Sequence, residues 1–336
     1  MNITPDQITI AVTVFDRRQY LRQSVGSAMA QTLPVRVMVV EDCGPDSGLK
    51  SYVQSEFGPA VGYFRNPARR GIFGNWNSCI EQCQTRWLSI LHDDDWLLPG
   101  FAEAMIELNR EAGERGLYFG RETVVDDLER PLPEWNRAAL DVPWRPITPE
   151  DFLFQPLFSY PGQLIDAHLA RKLGGFRETS LYCGDWEFWI KLTVAAGGAE
   201  TARQVGVFRS HSGWDRGTNR VLRSGKPYGL ISIQRKRNLA LKARVGVASR
   251  FDRNDELTRS PMPATYLLSY AAGFSRMYLR YNTARLCRSA PPHWRYAVFQ
   301  ALARLFGPGF VRAASRGWNT IRRRRANAEH SGLELL

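Results

Sequence analysis

The stretch "ILHDDDWLLPG", residues 90–100, sets an apolar run directly against three adjacent carboxylates, Asp93, Asp94 and Asp95. The preceding residues, "RWLSILHDDD" (86–95), read as a β-strand that belongs to a core. Three acids side by side repel one another and gain nothing from burial. In an open parallel sheet, however, ligands bind beyond the carboxyl ends of the strands. A chain of that architecture has a reason to place acids there.

The flanking sequence supplies the rest of such a sheet. "ITIAVTVF" (8–15), "VRVMVVED" (35–42) and "VGYFRN" (61–66) read as strands. "RQYLRQSVGSAMAQT" (18–32) places Tyr20, Leu21, Val25, Ala28 and Met29 at helical spacing. "GIFGNWNSCIEQCQ" (71–84) and "PGFAEAMIELNREAG" (99–113) read as two further helices. The alternation predicts an α/β fold with a mostly parallel central sheet flanked by helices. Asp16 follows the first strand, Glu41 and Asp42 end the second, and Asp93 to Asp95 follow the fourth. Three strands thus deliver carboxylates to one edge. Residues 120–160 are Pro-rich and read as a long irregular segment beside the site, after which 163–176 and 182–198 resume the αβ pattern.

Composition narrows the class. The 336 residues are 44% hydrophobic and 12% aromatic, as in a folded chain of one or two domains. Five cysteines without a CxxC argue against a disulfide framework or zinc site and suit a reducing compartment. Cys79 and Cys83, four apart on one helix, read as small buried residues. The N-terminus reads as a strand rather than a signal peptide, and no run of eighteen apolar residues occurs. The net charge of +12 is localised: residues 257–328 hold thirteen Arg and no Lys, Asp or Glu. The predicted division is therefore a catalytic domain over 1–256 and a basic α-helical extension over 257–336.

Acids clustered at a strand end suit Mn²⁺ or Mg²⁺, which take oxygen ligands and leave positions open for phosphate oxygens. Neither G-x-x-x-x-G-K-[ST] nor G-x-G-x-x-G occurs, against a P-loop enzyme or a dinucleotide oxidoreductase. A His-Asp metal phosphohydrolase would need histidines ahead of His92, and there are none.

Five segments, in order, resemble glycosyltransferase family 2. They are "ITIAVTVFDRRQYLRQSVGSAMAQT", "VMVVEDCG", "NPARRGIFGNWNSCI", "ILHDDDWLLPG" and "GGFRETSLYCGDWEFWIKL", spanning roughly residues 7–215. The resemblance implies a GT-A-type, Rossmann-like fold and inverting transfer from a nucleotide-diphospho-sugar, with UDP or dTDP as the nucleotide. It assigns Asp185 as general base, Asp94 and His211 to the metal, and Asp93 to the ribose side. It further places Thr13, Phe15, Asp16, Asp42 and Asn77 at the nucleotide, and Trp186 and Glu187 at the sugar or acceptor. Departures are Thr13 for Pro, Asp16 for Asn, Glu41 and Cys43 in the second motif, His92 for an acid, and Gly184 for Glu. Asp95 is read as a helix cap. An Asp185 flanked by Trp186, Phe188 and Trp189 would have a raised pKa, as a base requires.

In the tail, Leu267, Tyr270, Phe274, Met277, Tyr278 and Tyr281 recur at helical spacing among arginines. Basic amphipathic helices with aromatics suit an anionic membrane surface; RNA is the weaker alternative, and DNA is not expected. The resemblance adds a glycan or lipid-linked acceptor, in cell-surface polysaccharide synthesis, to this picture of a cytoplasmic, peripherally attached enzyme. Two alternatives stay open at this point: transfer to a polyprenyl phosphate, and a catalytically silent nucleotide-sugar-binding scaffold.

Overall fold

A computed structural model describes residues 2–211, apart from 134–135, 138, 153–159 and 179–183. The basic tail, residues 212–256 and the boundary after 256 lie outside the described residues. One sheet organises the fold, in the order β3-β2-β1-β4-β8-β6-β9-β5, with β7 joined to β9. Its strands are β1 (Ile8–Val14), β2 (Arg36–Glu41), β3 (Val61–Arg65), β4 (Trp87–His92), β5 (Trp96–Leu97), β6 (Leu117–Val125), β7 (Trp144–Ile147), β8 (Gln163–Asp166) and β9 (Gly198–Arg209).

β1 is central because "ITIAVTV" is β-branched and apolar enough to be buried along its whole length. It pairs in parallel with β2 on one side and β4 on the other. β2 continues to β3 in parallel. β8 is antiparallel to both β4 and β6, which returns β6 to the direction of β4, and β9 runs parallel to β6. Most of the sheet therefore points one way, as expected, but β8, β5 and β7 oppose it and make the sheet mixed.

Helices cover the sheet. α1 (Leu21–Met29), α2 (Leu49–Phe57) and α4 (Phe101–Ala112) share one core with alternate residues of the strands: Leu21, Val25, Val53, Phe101 and Met105 cluster with Ile8, Ile10, Val12, Val39 and Leu91. Each such side chain contributes about 1.5–3 kcal/mol when fully buried. α3 (Gly71–Gln82) packs against β1, β2 and β4 with side chains outside that cluster, including Phe73, Trp76, Cys79 and Ile80, so it takes the other face. α5 (Ala167–Lys172) meets α3, and α6 (Gly184–Ala196) meets β6. Cys79 and Cys83 are free and buried, as expected. Among the described residues no helix is long and apolar enough to cross a membrane.

The segment 120–160 is more regular than its composition suggests. β6 runs to Val125 and β7 occupies 144–147. A buried ion network joins them to β9: Glu200, with no exposed surface, accepts from Arg121 at 2.9 Å, from Arg145 at 2.9 Å and from Arg137, which also holds Glu122 at 2.8 Å.

Candidate active site at the carboxyl edge of the sheet

Register places the functional residues before any side chain is considered. Val14 is level with Glu41, Thr13 with His92, and Val125 with Arg209. The residues after β1, β2, β4, β6 and β9 therefore share one edge, which brings Asp93 and Asp94 together with Arg17, Asp127 and His211.

Arg17 connects the first two acids. Its Nε donates to Asp93 Oδ2 at 3.2 Å, Nη2 contacts Asp93 Oδ1, and Nη1 contacts Asp94 Oδ2. Burial and the neighbouring Asp94 charge push the Asp93 carboxyl up to about 7, against the pull of Arg17. Asp94 feels burial too, but the hydrogen bond from His211 and the charge of Arg17 outweigh it and hold the group down at about 2. Asp95 does not cap a helix: α4 begins at Phe101 after Gly100, without a side-chain cap. Its Oδ1 instead accepts from the Arg209 backbone N–H at 2.8 Å, tying the β4 turn to β9, and its Oδ2 faces His92 Nδ1 at 3.5 Å. Burial pushes Asp95 up to about 6.

His211 Nε2 lies 2.9 Å from Asp94 Oδ2, while Nδ1 lies 2.6 Å from Asp127 Oδ1. A ring nitrogen held by a carboxylate orients the other nitrogen for ligation. Hydrogen bonding to Asp94, then to Asp127, raises the imidazole pKa despite burial. Asp94 and His211 thus bring an oxygen and an imidazole nitrogen together, a mixed pair that suits Mn²⁺ better than Mg²⁺, which takes oxygen ligands. His92, Asp94 and Asp95 also place ligand atoms within 4.8 Å of one another. The Asp94–His211 pair is the one the resemblance implies; in the other set Asp95 Oδ1 accepts from the Arg209 N–H while Asp95 Oδ2 and His92 Nε2 have no hydrogen-bond partner among the described residues. Asp94 is common to both.

Several expected nucleotide contacts are engaged elsewhere. Thr13 Oγ1 donates to the Leu91 carbonyl at 3.3 Å, a link between β1 and β4. Asn77, expected at the nucleotide, donates to the Phe176 carbonyl at 2.8 Å and accepts from the Phe176 N–H at 2.8 Å. Gly175 makes that approach possible, since a Cβ there would lie 2.4 Å from Asn77 Oδ1. Asp42 accepts from the N–H groups of Arg70 and Gly71 at the start of α3, at 2.7 and 2.8 Å, and from Asn66 at 3.2 Å. Glu41 is turned inward, where Tyr63, Arg65 and the Gly44 N–H hold it. Gly44 itself is required, because a Cβ would fall 1.7 Å from the Phe15 carbonyl oxygen. Phe15 stands at the edge with the Arg69 guanidinium 4.2 Å over its ring, and Asp16 is exposed.

Asp185 occupies the first turn of α6, where it has backbone N–H groups and a helix dipole to favour its charge. Burial nevertheless pushes it up to about 6. Trp186, Phe188 and Trp189 are all buried, which supplies the low polarity. Of the residues expected at the sugar or acceptor, Trp186 is 3% exposed, and Glu187 is held by Arg177 at 2.8 Å and Lys191 at 3.5 Å. His92, the residue standing where the resemblance has an acid, joins a ring cluster with Trp76 at 5.4 Å and Tyr160 at 4.7 Å, which are themselves 4.3 Å apart. Its Nδ1 lies 3.5 Å from Asp95 Oδ2, and its proximity lowers the Asp185 pKa slightly against the larger effect of burial. Arg17, Asp127 and Tyr160 were not singled out from the sequence. The one available signal was the position of Arg17, three residues beyond the β1 terminus on the acid-bearing edge.

Residues 9–159 match the sequence model of the family described as Glycosyl transferase family 2. An uncharacterized glycosyltransferase of Rickettsia felis is 24% identical over 209 residues, which cover 58% of this chain and 33% of that protein. One from Rickettsia bellii is 28% identical over 193 residues, covering 55% of this chain and 27% of that protein. The chain thus spans about a third of the length of these relatives or less. Among solved structures, S. aureus TarS 1–349 in complex with UDP-GlcNAc superposes with a TM-score of 0.55 at 12% identity, covering 93% of this chain and 92% of that one. The UDP complex of the same protein gives a TM-score of 0.52 at 14% identity, covering 93% and 91%. The fold is shared with TarS.

Proposed function

We propose that the chain, which matches the model of glycosyltransferase family 2 over residues 9–159, is an inverting, metal-dependent transferase that moves a sugar from a UDP- or dTDP-linked donor to a hydroxyl of a glycan or lipid-linked saccharide. The carrying observation is geometric: Asp94 Oδ2 and His211 Nε2 meet at 2.9 Å on the carboxyl edge of the sheet, with Asp127 holding the other imidazole nitrogen at 2.6 Å. Asp185, among the buried Trp186, Phe188 and Trp189, has the raised pKa that suits a base. That the fold neighbour TarS is seen with UDP-GlcNAc and with UDP supports a uridine nucleotide.

In this reading Asp185 takes the acceptor hydroxyl proton as that oxygen attacks the anomeric carbon. The bond to the diphosphate breaks on the opposite face. A divalent cation at Asp94 and His211 would neutralise the charge that develops on the leaving diphosphate. Asp127 keeps the imidazole turned toward Asp94. Phe15 flanks the base, and Asp42 Oδ2, which accepts from Gly71, keeps acceptor capacity for an imide N–H. Asp93 anchors Arg17 in place of the ribose-side role.

The test is a calorimetric screen of nucleotide sugars with and without Mn²⁺, followed by turnover of Asp185→Asn. Tight metal-dependent UDP binding and loss of transfer in the variant are expected. Transfer that survives Asp185→Asn would instead favour an acceptor already ionised, such as a polyprenyl phosphate. Binding without turnover of any donor would favour a silent scaffold. The thirteen-arginine segment 257–328 supports attachment to an anionic membrane surface. Liposome flotation that persists after removal of 257–336 would refute that attachment.

A further inference from the structure

We propose that Arg17 is a built-in counter-cation that occupies Asp94 until the diphosphate of the donor draws it away, so that metal binding is made conditional on donor binding. The inference rests on the metal-dependent reading above and concerns the order in which the site fills.

The geometry of one oxygen carries it. Asp94 Oδ2 is the atom that His211 Nε2 faces at 2.9 Å, and it is the same atom that Arg17 Nη1 contacts. Nη1 also lies 3.4 Å from His211 Nε2. A guanidinium has donors only and stays charged. His211 Nε2 cannot both donate to Asp94 and accept from Arg17, so the trio is crowded with cationic donors around one acceptor. A divalent ion ligated by Asp94 and His211 would sit where Nη1 now is, and the two positive charges cannot share the position.

Arg17 is also built to move. Its side chain is 30% exposed, whereas the carboxylates it bridges are 4% and 11% exposed. The other end of its fork engages both oxygens of Asp93. Asp93 thus acts as a tether that keeps the guanidinium at the edge when Nη1 leaves Asp94. Arg17 follows β1 by three residues, at the sheet edge where the donor phosphates are expected. A diphosphate offers a planar fork several charged acceptors, which makes it a stronger partner than one carboxylate oxygen. Its arrival moves Nη1 onto phosphate and uncovers Asp94 Oδ2 and His211 Nε2. By linkage, the donor then tightens the metal and the metal tightens the donor by the same factor.

The test measures Mn²⁺ binding to the full chain by electron paramagnetic resonance, with and without UDP, and corrects for the Mn²⁺ bound by UDP in solution. UDP binding in EDTA is measured by calorimetry. For the unaltered protein, UDP is expected to tighten Mn²⁺ by on the order of tenfold or more. In Arg17→Gln, Mn²⁺ alone binds about tenfold more tightly than in the parent, the UDP effect shrinks correspondingly, and UDP in EDTA weakens by about tenfold. The charge-balanced double variant Arg17→Gln/Asp93→Asn is expected to show the same direction and serves if the single variant is unstable. Mn²⁺ binding alone that is unchanged or weaker in these folded variants overturns the role of Arg17 and leaves the metal reading standing. An absence of Mn²⁺ binding in every form, with UDP or without, overturns both.

Discussion

Replacing Asp185 by Asn should remove activity and at the same time stabilise the fold. The carboxyl is raised from 3.8 to about 6, chiefly by burial, so the folded state resists its ionisation. Between those two values the native state holds more protons than the unfolded one, and stability falls as pH rises; above about 6 the full penalty is present. Two units at about 1.4 kcal/mol each amount to about 3 kcal/mol. The favourable backbone N–H groups at the start of α6 are already contained in that balance, so Asn should gain up to about 3 kcal/mol. Urea unfolding of both forms at about pH 7.5 should show this gain, and it should fade toward zero at about pH 4. Turnover should fall by about 10²–10⁴, and in the parent the rate should rise with pH through about 6. A variant that is less stable at neutral pH, or a gain that does not depend on pH, would refute the assignment of Asp185 as a carboxylate whose surroundings disfavour its charge.

Other residues are expected to separate binding from folding. Asp94→Ala should abolish the metal-dependent part of UDP binding, seen by titration calorimetry as a loss of about tenfold or more, while UDP binding in EDTA should tighten because Arg17 no longer has to leave a carboxylate. Asn77→Ala should lower stability by about 2–3 kcal/mol, because the buried N–H and carbonyl of Phe176 lose their partner. UDP affinity should stay within about twofold of the parent, and a larger change would return Asn77 to the nucleotide. Glu200→Gln should cost about 3–5 kcal/mol in denaturant unfolding, since a buried carboxylate opposite three arginines cannot be neutralised cheaply.

The α/β class, the first four strands and the acid-bearing edge were legible in the order of residues, because β-branched runs, helical spacing and strand-end polarity are local patterns. So was the apolar setting of Asp185, whose sequence neighbours Trp186, Phe188 and Trp189 are buried. The division of labour among Asp93, Asp94 and Asp95 was not. Asp95 is claimed by the Arg209 backbone 114 positions away, Asp94 by His211 117 positions away, and Asp93 by Arg17 76 positions away. Three chemically identical neighbours acquire different roles only when strand register brings β1, β6 and β9 to one edge. The same holds for Thr13 and Asn77, whose polar atoms were consumed by carbonyl and amide partners that no spacing rule exposes. Local sequence thus determined which residues stand at the edge. Tertiary pairing decided which remain available there, because a buried polar atom takes the partner that packing provides.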